Sequence, residues 1–260
     1  MAVPATERGR TGATAGRSPR LDTTLVERGL AESREKAQAL IHAGLVRLGD
    51  APATRADQRV PPGAELRVLG RARFVGRGGE KLEGALADLG VDPGGRVCLD
   101  AGASTGGFTD CLLQHGARHV HAVDVGWNQL DWRLRQDPRV TVLERQDVRT
   151  LAALDGPPPD LVVGDLSFIS LRKVVPALLR LAAPGAELLL LVKPQFELGP
   201  GRVGRGGVVR EAADRREAVE GFLAWARERG LTVAGEADSR LRGAEGNQET
   251  FVLLRSGDGD

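Results

Sequence analysis

A small α+β module followed by a larger α/β domain, Rossmann-like with a seven-stranded sheet that is parallel except at its terminal strand, is the architecture the sequence predicts. Three observations carry it. The stretch from Val97 to Asp110, VCLDAGASTGGFTD, runs from apolar residues through an acid and three glycines into a helix start, the pattern of a strand, a tight turn and a helix. Apolar runs at Val120 to Asp124, Thr141 to Leu143, Leu161 to Asp165 and Glu187 to Lys193 then recur at intervals that leave room for helices. Finally, residues 1–80 hold 14 Lys and Arg against 9 Asp and Glu while the remainder holds 22 against 26, so the front of the chain is where a phosphate backbone would bind.

Composition excludes several classes. At 260 residues there is material for two cores. No apolar run approaches the roughly 18 residues of a membrane span; the longest is Leu188 to Val192. The arginine-bearing N-terminus lacks the apolar stretch of a secretory signal, so a cytoplasmic location is expected. Cys98 and Cys111 form neither a disulfide framework nor a metal pattern, and His119 and His121 share a strand face without a partner at ligand spacing, so no metal is expected. The chain carries 32 arginines and four lysines, Lys36, Lys81, Lys173 and Lys193. A lysine kept in such a background is a candidate for work that requires losing a proton, which arginine cannot do.

Residues 1–19, rich in Gly, Ala, Thr and Arg without periodicity, read as a disordered basic tail. Leu21, Leu25, Val26 and Leu30 mark a short helix. Ser33 caps a second with an apolar stripe at Ala37, Leu40 and Ile41, which Gly44 ends. Strands follow at Leu45 to Leu48 and Glu65 to Leu69. The segment RLDTTLVERGLAESREKAQALIHAGLVRLGD with VPPGAELRV, residues 20–70, resembles the S4-type RNA-binding domain of ribosomal proteins and RNA-modifying enzymes. That resemblance implies RNA phosphates at the second helix and its loop, here Ser33, Arg34 and Lys36, with Arg20 and Arg47 on the same helical half and its exit. Asp50, where the family favours a small polar residue and glycine, adds an acid near that face.

Residues 71–75 read as a basic connector to a domain spanning 76–256. Gly78 and Gly79 precede a helix from Glu80 to Leu89 that carries Lys81 in its first turn, where a positive charge opposes the helix dipole; such a lysine lies on the surface or is held by an acid. In the glycine turn, Asp100 with Gly102, Gly106 and Gly107 departs from the dinucleotide spacing GxGxxG. An acid there suits a ligand with hydroxyls and a positive charge, such as S-adenosylmethionine, and the same residues equally suit a purely structural βα turn. Asp124 ends the second strand, where an acid can accept from ribose hydroxyls, and Asp147 after the third is placed for an adenine amino group. Trp127, just beyond Asp124, can stack on a cofactor or pack in the core. Asp165 and Lys193 end the fourth and fifth strands, completing five strand–helix units. Ser170 opens a helix with its stripe at Leu171, Val174, Val175, Leu178 and Leu179. Pro194 to Val209 reads as a flexible lid, Glu211 to Arg229 as an amphipathic helix, and Leu231 to Ala237 with Thr250 to Leu254 as a closing antiparallel hairpin.

The segments GRGGEKL, LDAGASTGGFTD, DLSFISL, VKPQFE and GNQE resemble the FtsJ-like 2'-O-ribose methyltransferases. With the S4-type module in front, residues 20–255 resemble the TlyA (haemolysin A) family of rRNA cytidine-2'-O-methyltransferases, with Gly76 replacing a usual serine. This resemblance implies an S-adenosylmethionine-dependent methyltransferase whose partner is ribosomal RNA or a ribosomal subunit. It implies a cofactor site at Asp100, Gly102, Ser104, Thr105, Gly106, Gly107, Phe108, Asp124, Asp147 and Asp165. It also implies a Lys-Asp-Lys-Glu tetrad at Lys81, Asp165, Lys193 and Glu249. A ribose 2'-hydroxyl is a poor nucleophile until its proton is drawn off. Lys193 would be that base, Asp165 would steer it, and Lys81 with Glu249 would orient the ribose. Two rivals stay open: an RNA-binding assembly factor with a vestigial catalytic fold, and a haemolysin, for which no membrane-active segment is found.

Overall fold

The computed structural model describes residues 18–69, 73–199 and 201–257, and the chain divides into two compact units, Met1–Ala72 and Arg73–Asp260. The basic tail expected over residues 1–19 falls, but for its last two residues, outside the described residues, as do residues 71 and 72 of the connector.

In the first unit, α1 (Leu21–Glu27) and α2 (Arg34–His42) pack on a three-stranded antiparallel sheet of β1 (Val46–Leu48), β2 (Ala51–Pro52) and β3 (Leu66–Val68), in the order β2-β1-β3. Leu21, Leu25, Ala37, Ile41, Val46 and Leu66 form the core, so the helical spacing of three and four and the strand alternation converge on one cluster. Ser33 is extended and its hydroxyl accepts the Lys36 amide at 3.2 Å, the N-cap that the sequence predicts. Buried in the first turn of α1 is Asp22, which accepts from Arg20, Arg34 and Gln38 at 3.0–3.1 Å. Hydrogen bonding, first from Arg20, holds its carboxyl well below the usual carboxylate range.

The second unit is a seven-stranded sheet in the order β6-β5-β4-β7-β8-β10-β9. Its strands are β4 (Val97–Ala101), β5 (His119–Asp124), β6 (Val140–Glu144), β7 (Leu161–Gly164), β8 (Glu187–Val192), β9 (Thr232–Asp238) and β10 (Thr250–Arg255). The first five are parallel; β10 enters between β8 and β9, antiparallel to both. Alternate side chains feed two apolar layers. One holds α3 (Arg77–Leu89) and α4 (Gly107–Gln114); the other holds α6 (Val175–Leu181) and α8 (Ala212–Glu228). Short helices α5 (Trp132–Arg135) and α7 (Pro194–Glu197) complete the set.

Four features depart from the sequence reading. Phe74 and Val75 belong to the second unit, not to a connector: Phe74 is buried in the core, and the Val75 amide donates to Asp110 at 2.8 Å. Helix α3 begins at Arg77 and takes both glycines into its first turn, which moves Lys81 to the second. A side chain at Gly79 would overlap the Phe74 ring and one at Gly78 would crowd the Phe108 ring, so close packing explains glycines that look like breakers. No helix joins β6 to β7 among the described residues; Pro157, Pro158 and Pro159 fill that connection. The start of the expected lid is a fixed helical turn, because half-buried Glu197 accepts from the Ser170 hydroxyl and the Leu171 amide, both at 2.7 Å.

Candidate active site

The strand order reverses between β4 and its two neighbours β5 and β7, the switch point at which an open α/β sheet leaves a crevice beyond its strand ends. A cavity of about 530 Å³ opens there. Successive strand-end loops line it: Gly102 and Ser104 after β4, Asp124 and Val125 at β5, Gln146 to Arg149 after β6, and Asp165 to Ile169 after β7. The glycine loop is held by Asp124, whose carboxylate accepts the Ser104 amide at 2.8 Å and the Gly126 amide at 2.6 Å. Gly102 has φ of 86°, and a Cβ there would come within 2.8 Å of the Asp165 carbonyl oxygen, so only glycine lets β4 and β7 approach at this point.

Half of the predicted cofactor residues border the cavity: Gly102, Ser104, Asp124, Asp147 and Asp165. Asp147 is engaged by Arg149, on its backbone amide and guanidinium. The others lie elsewhere, for packing reasons. Phe108 points into the core against Phe251, with ring centroids 6.0 Å apart. Gly107 packs on the backbone of Gly78 and Gly79, Thr105 on Gly76, and Gly106 has no room for a side chain beside Leu130 and Leu134. Asp100 is fully buried below the loop, not in the cavity. Its Oδ2 accepts from the Thr109 hydroxyl at 2.6 Å, and its Oδ1 has no partner.

Burial, partly offset by the Thr109 hydrogen bond, pushes the Asp100 carboxyl up to about 7. The folded chain therefore holds a proton that the unfolded chain releases near pH 4. Its contribution to stability is full below about pH 4, is lost as pH rises to about 7, and is flat above. Asp100→Asn, which keeps the acceptor for Thr109, removes this dependence. Relative to Asp100→Asn, the native chain should lose on the order of 4 kcal/mol between pH 4 and 8 in urea unfolding.

The tetrad residues form two ion pairs. Lys193 Nζ lies 2.6 Å from Asp165 Oδ1 and donates to Ser167 Oγ at 2.8 Å. Lys81 Nζ donates to Glu249 Oε2 at 2.6 Å, both side chains being buried. Thr250 pairs with Val192, so one step further the β8–β10 register sets Glu249 opposite Lys193, while β7 beside β8 brings Asp165 to the same edge. The antiparallel insertion of β10 thus joins the two pairs. Lys81, in the second turn of α3, is held by an acid.

In the first unit, Arg20 and Arg34 are engaged by Asp22 and Ser33 by its cap. Lys36 is exposed, and neither it nor half-buried Arg47 has an ion-pair partner among the described residues. Asp50 pairs with Arg67 at 3.0 Å. His119 Nε2 lies 2.9 Å from Thr141 Oγ1, and no group of three metal-ligating side chains assembles among the described residues. Sequence reasoning missed Ser167 and Phe168, although both lie in the quoted DLSFISL segment. It also missed Glu144, which accepts the Asn128 and Gln129 amides and the Arg135 guanidinium and so fixes the loop after β5.

Fold and site thus define a methyltransferase-type α/β domain behind an S4-type module. The FtsJ-like methyltransferase family matches residues 74–256 and the S4 domain residues 19–66. The 16S/23S rRNA (cytidine-2'-O)-methyltransferase TlyA of Mycobacterium tuberculosis is 49% identical, over 92% of this chain and 91% of that protein. Hemolysin A of Brachyspira hyodysenteriae is 37% identical over 88% and 97%. A candidate hemolysin of Streptococcus thermophilus has a solved structure that aligns with TM-score 0.73 at 39% identity, covering 94% of this chain and 90% of that one. The chain belongs to the TlyA branch of the FtsJ-like methyltransferases. No helix among the described residues is long and apolar enough to cross a membrane.

Proposed function

We propose that the chain methylates the 2'-hydroxyl of cytidine in ribosomal RNA from S-adenosylmethionine, in the cytoplasm, with the S4-type unit docking on the RNA through Lys36 and Arg47. The observation that carries this reading is that two lysine–carboxylate pairs stand at facing register positions beyond β8 and β10, one of them bordering the strand-end cavity through Asp165. The cavity's chemistry fits the cofactor: Asp124 keeps lone pairs for ribose hydroxyls beyond the two amides it accepts, and Val125 and Val148 offer apolar walls for a purine. When bound, S-adenosylmethionine supplies an electrophilic methyl group. Lys193, once it has released its own proton to solvent, takes as a neutral amine the proton of the attacking 2'-hydroxyl, and Asp165 with Ser167 fixes Nζ and stabilises the ammonium produced. Lys81 and Glu249 orient the ribose.

Phe168 supports an RNA substrate. It is 87% exposed at the cavity mouth, has φ of 65°, and leans on Phe196 at 5.4 Å between centroids. A bulky residue held in the left-handed region is strained, and an exposed ring so held is a stacking surface for the target base. The test is transfer from methyl-labelled S-adenosylmethionine to ribosomal subunits or free rRNA, with mapping of the modified nucleotide. Label at a cytidine 2'-oxygen is expected; label absent from both substrates would defeat the reading.

A further inference from the structure

We propose that Trp127 and Arg145 form a second RNA contact on the methyltransferase unit, a stacking platform for an unpaired nucleotide outside the target site. It rests on the rRNA reading above and goes beyond it. Trp127 is 62% exposed in a chain with only three tryptophans, and the Arg145 guanidinium lies 4.1 Å over its ring. Neither residue borders the strand-end cavity, and the ring does not pack in the core, one of the two roles its sequence position suggests.

The platform is built, not a loose surface side chain. The Gly126 amide donates to Asp124, the Arg145 amide to the Gly126 carbonyl at 2.9 Å, and the Asn128 and Gln129 amides to Glu144. Arg145, at φ of 55°, holds the left-handed conformation that its side chain disfavours, while Asn128, at 56°, is of a type that adopts it readily. Such strain persists only where the surroundings over-determine it.

Its charge selects the occupant. Arg145 has no carboxylate within ion-pair reach among the described residues. The adjacent Glu144, half-buried with its side chain turned inward, is spent on Arg135 and backbone amides. What remains exposed is a flat ring with an uncompensated planar cation, which matches a nucleobase and its phosphate. Single-stranded RNA presents both; an apolar protein surface would leave the guanidinium unpaired.

The test uses the full chain. In Trp132→Phe/Trp225→Phe, Trp127 is the sole tryptophan, and an unstructured oligoadenylate should quench its fluorescence whereas S-adenosylmethionine should not. Trp127→Ala should raise KM for ribosomal subunits ~10-fold, with kcat moving less and cofactor affinity held, and Trp127→Phe should recover most of the loss. The proposal is overturned by quenching with S-adenosylmethionine alone, by an unchanged KM in Trp127→Ala, or by self-association that Trp127→Ala abolishes in sedimentation. If the native chain transfers no methyl group to rRNA, the parent reading fails while the quenching experiment still scores this one.

Discussion

Lys193→Arg should lower kcat for methyl transfer by about 10³-fold while leaving the fold and cofactor affinity close to native. Arginine keeps the positive charge that Asp165 pairs with at 2.6 Å and can still donate to Ser167, so the strand end stays neutralised and packed. It cannot give up a proton at accessible pH, so it cannot take one from the ribose. Charge-preserving replacement therefore separates a base from a counter-ion, which Lys193→Ala cannot do because it leaves Asp165 unpaired. The measurements are single-turnover transfer to ribosomal subunits, calorimetric titration of S-adenosylmethionine and thermal unfolding. Turnover within tenfold of native in Lys193→Arg would remove Lys193 from the role of base and reduce its pair with Asp165 to a structural one.

What the sequence made legible is local. Apolar runs ending in Asp124, Asp165 and Lys193 announce strands whose ends carry charge, and the strand-end rule places those charges at one edge. Ser33 announces its own cap because the N-cap geometry involves only residues three apart. Pairings across the fold are not readable in this way. Lys81 and Glu249 lie 168 positions apart, and only the insertion of β10 between β8 and β9 brings them together. Asp100 sits at a strand end like its counterparts, yet it is buried below the loop, where it binds Thr109 on α4. Gly78 and Gly79 look like a helix boundary and are helical; what demands glycine is the Phe108 ring beside Gly78 and the Phe74 ring against Gly79, tertiary contacts that propensity does not contain. Likewise the left-handed backbone at Phe168 and Arg145 has no sequence signal, since neither residue type favours it.

Breaking the Lys81–Glu249 pair should separate what it does for stability from what it does for chemistry. Each side chain is buried, and removal of one partner leaves an uncompensated charge in the interior. Lys81→Met and Glu249→Met should each cost about 3–5 kcal/mol of unfolding free energy. The double replacement removes both charges and fills the space with flexible apolar chains, so it should cost less than either single change. Room at Glu249 is tight, since a Cβ at Gly243 would lie 2.5 Å from its Oε1, which is why unbranched methionine is the replacement of choice. Methyl transfer should be lost in all three variants, because an apolar pair cannot orient a ribose. Recovery of stability without activity in the double variant would assign the pair to the reaction. Recovery of both would make it only a structural bridge between α3 and β10, and a double-variant loss equal to the sum of the singles would show that the two residues do not act as a pair.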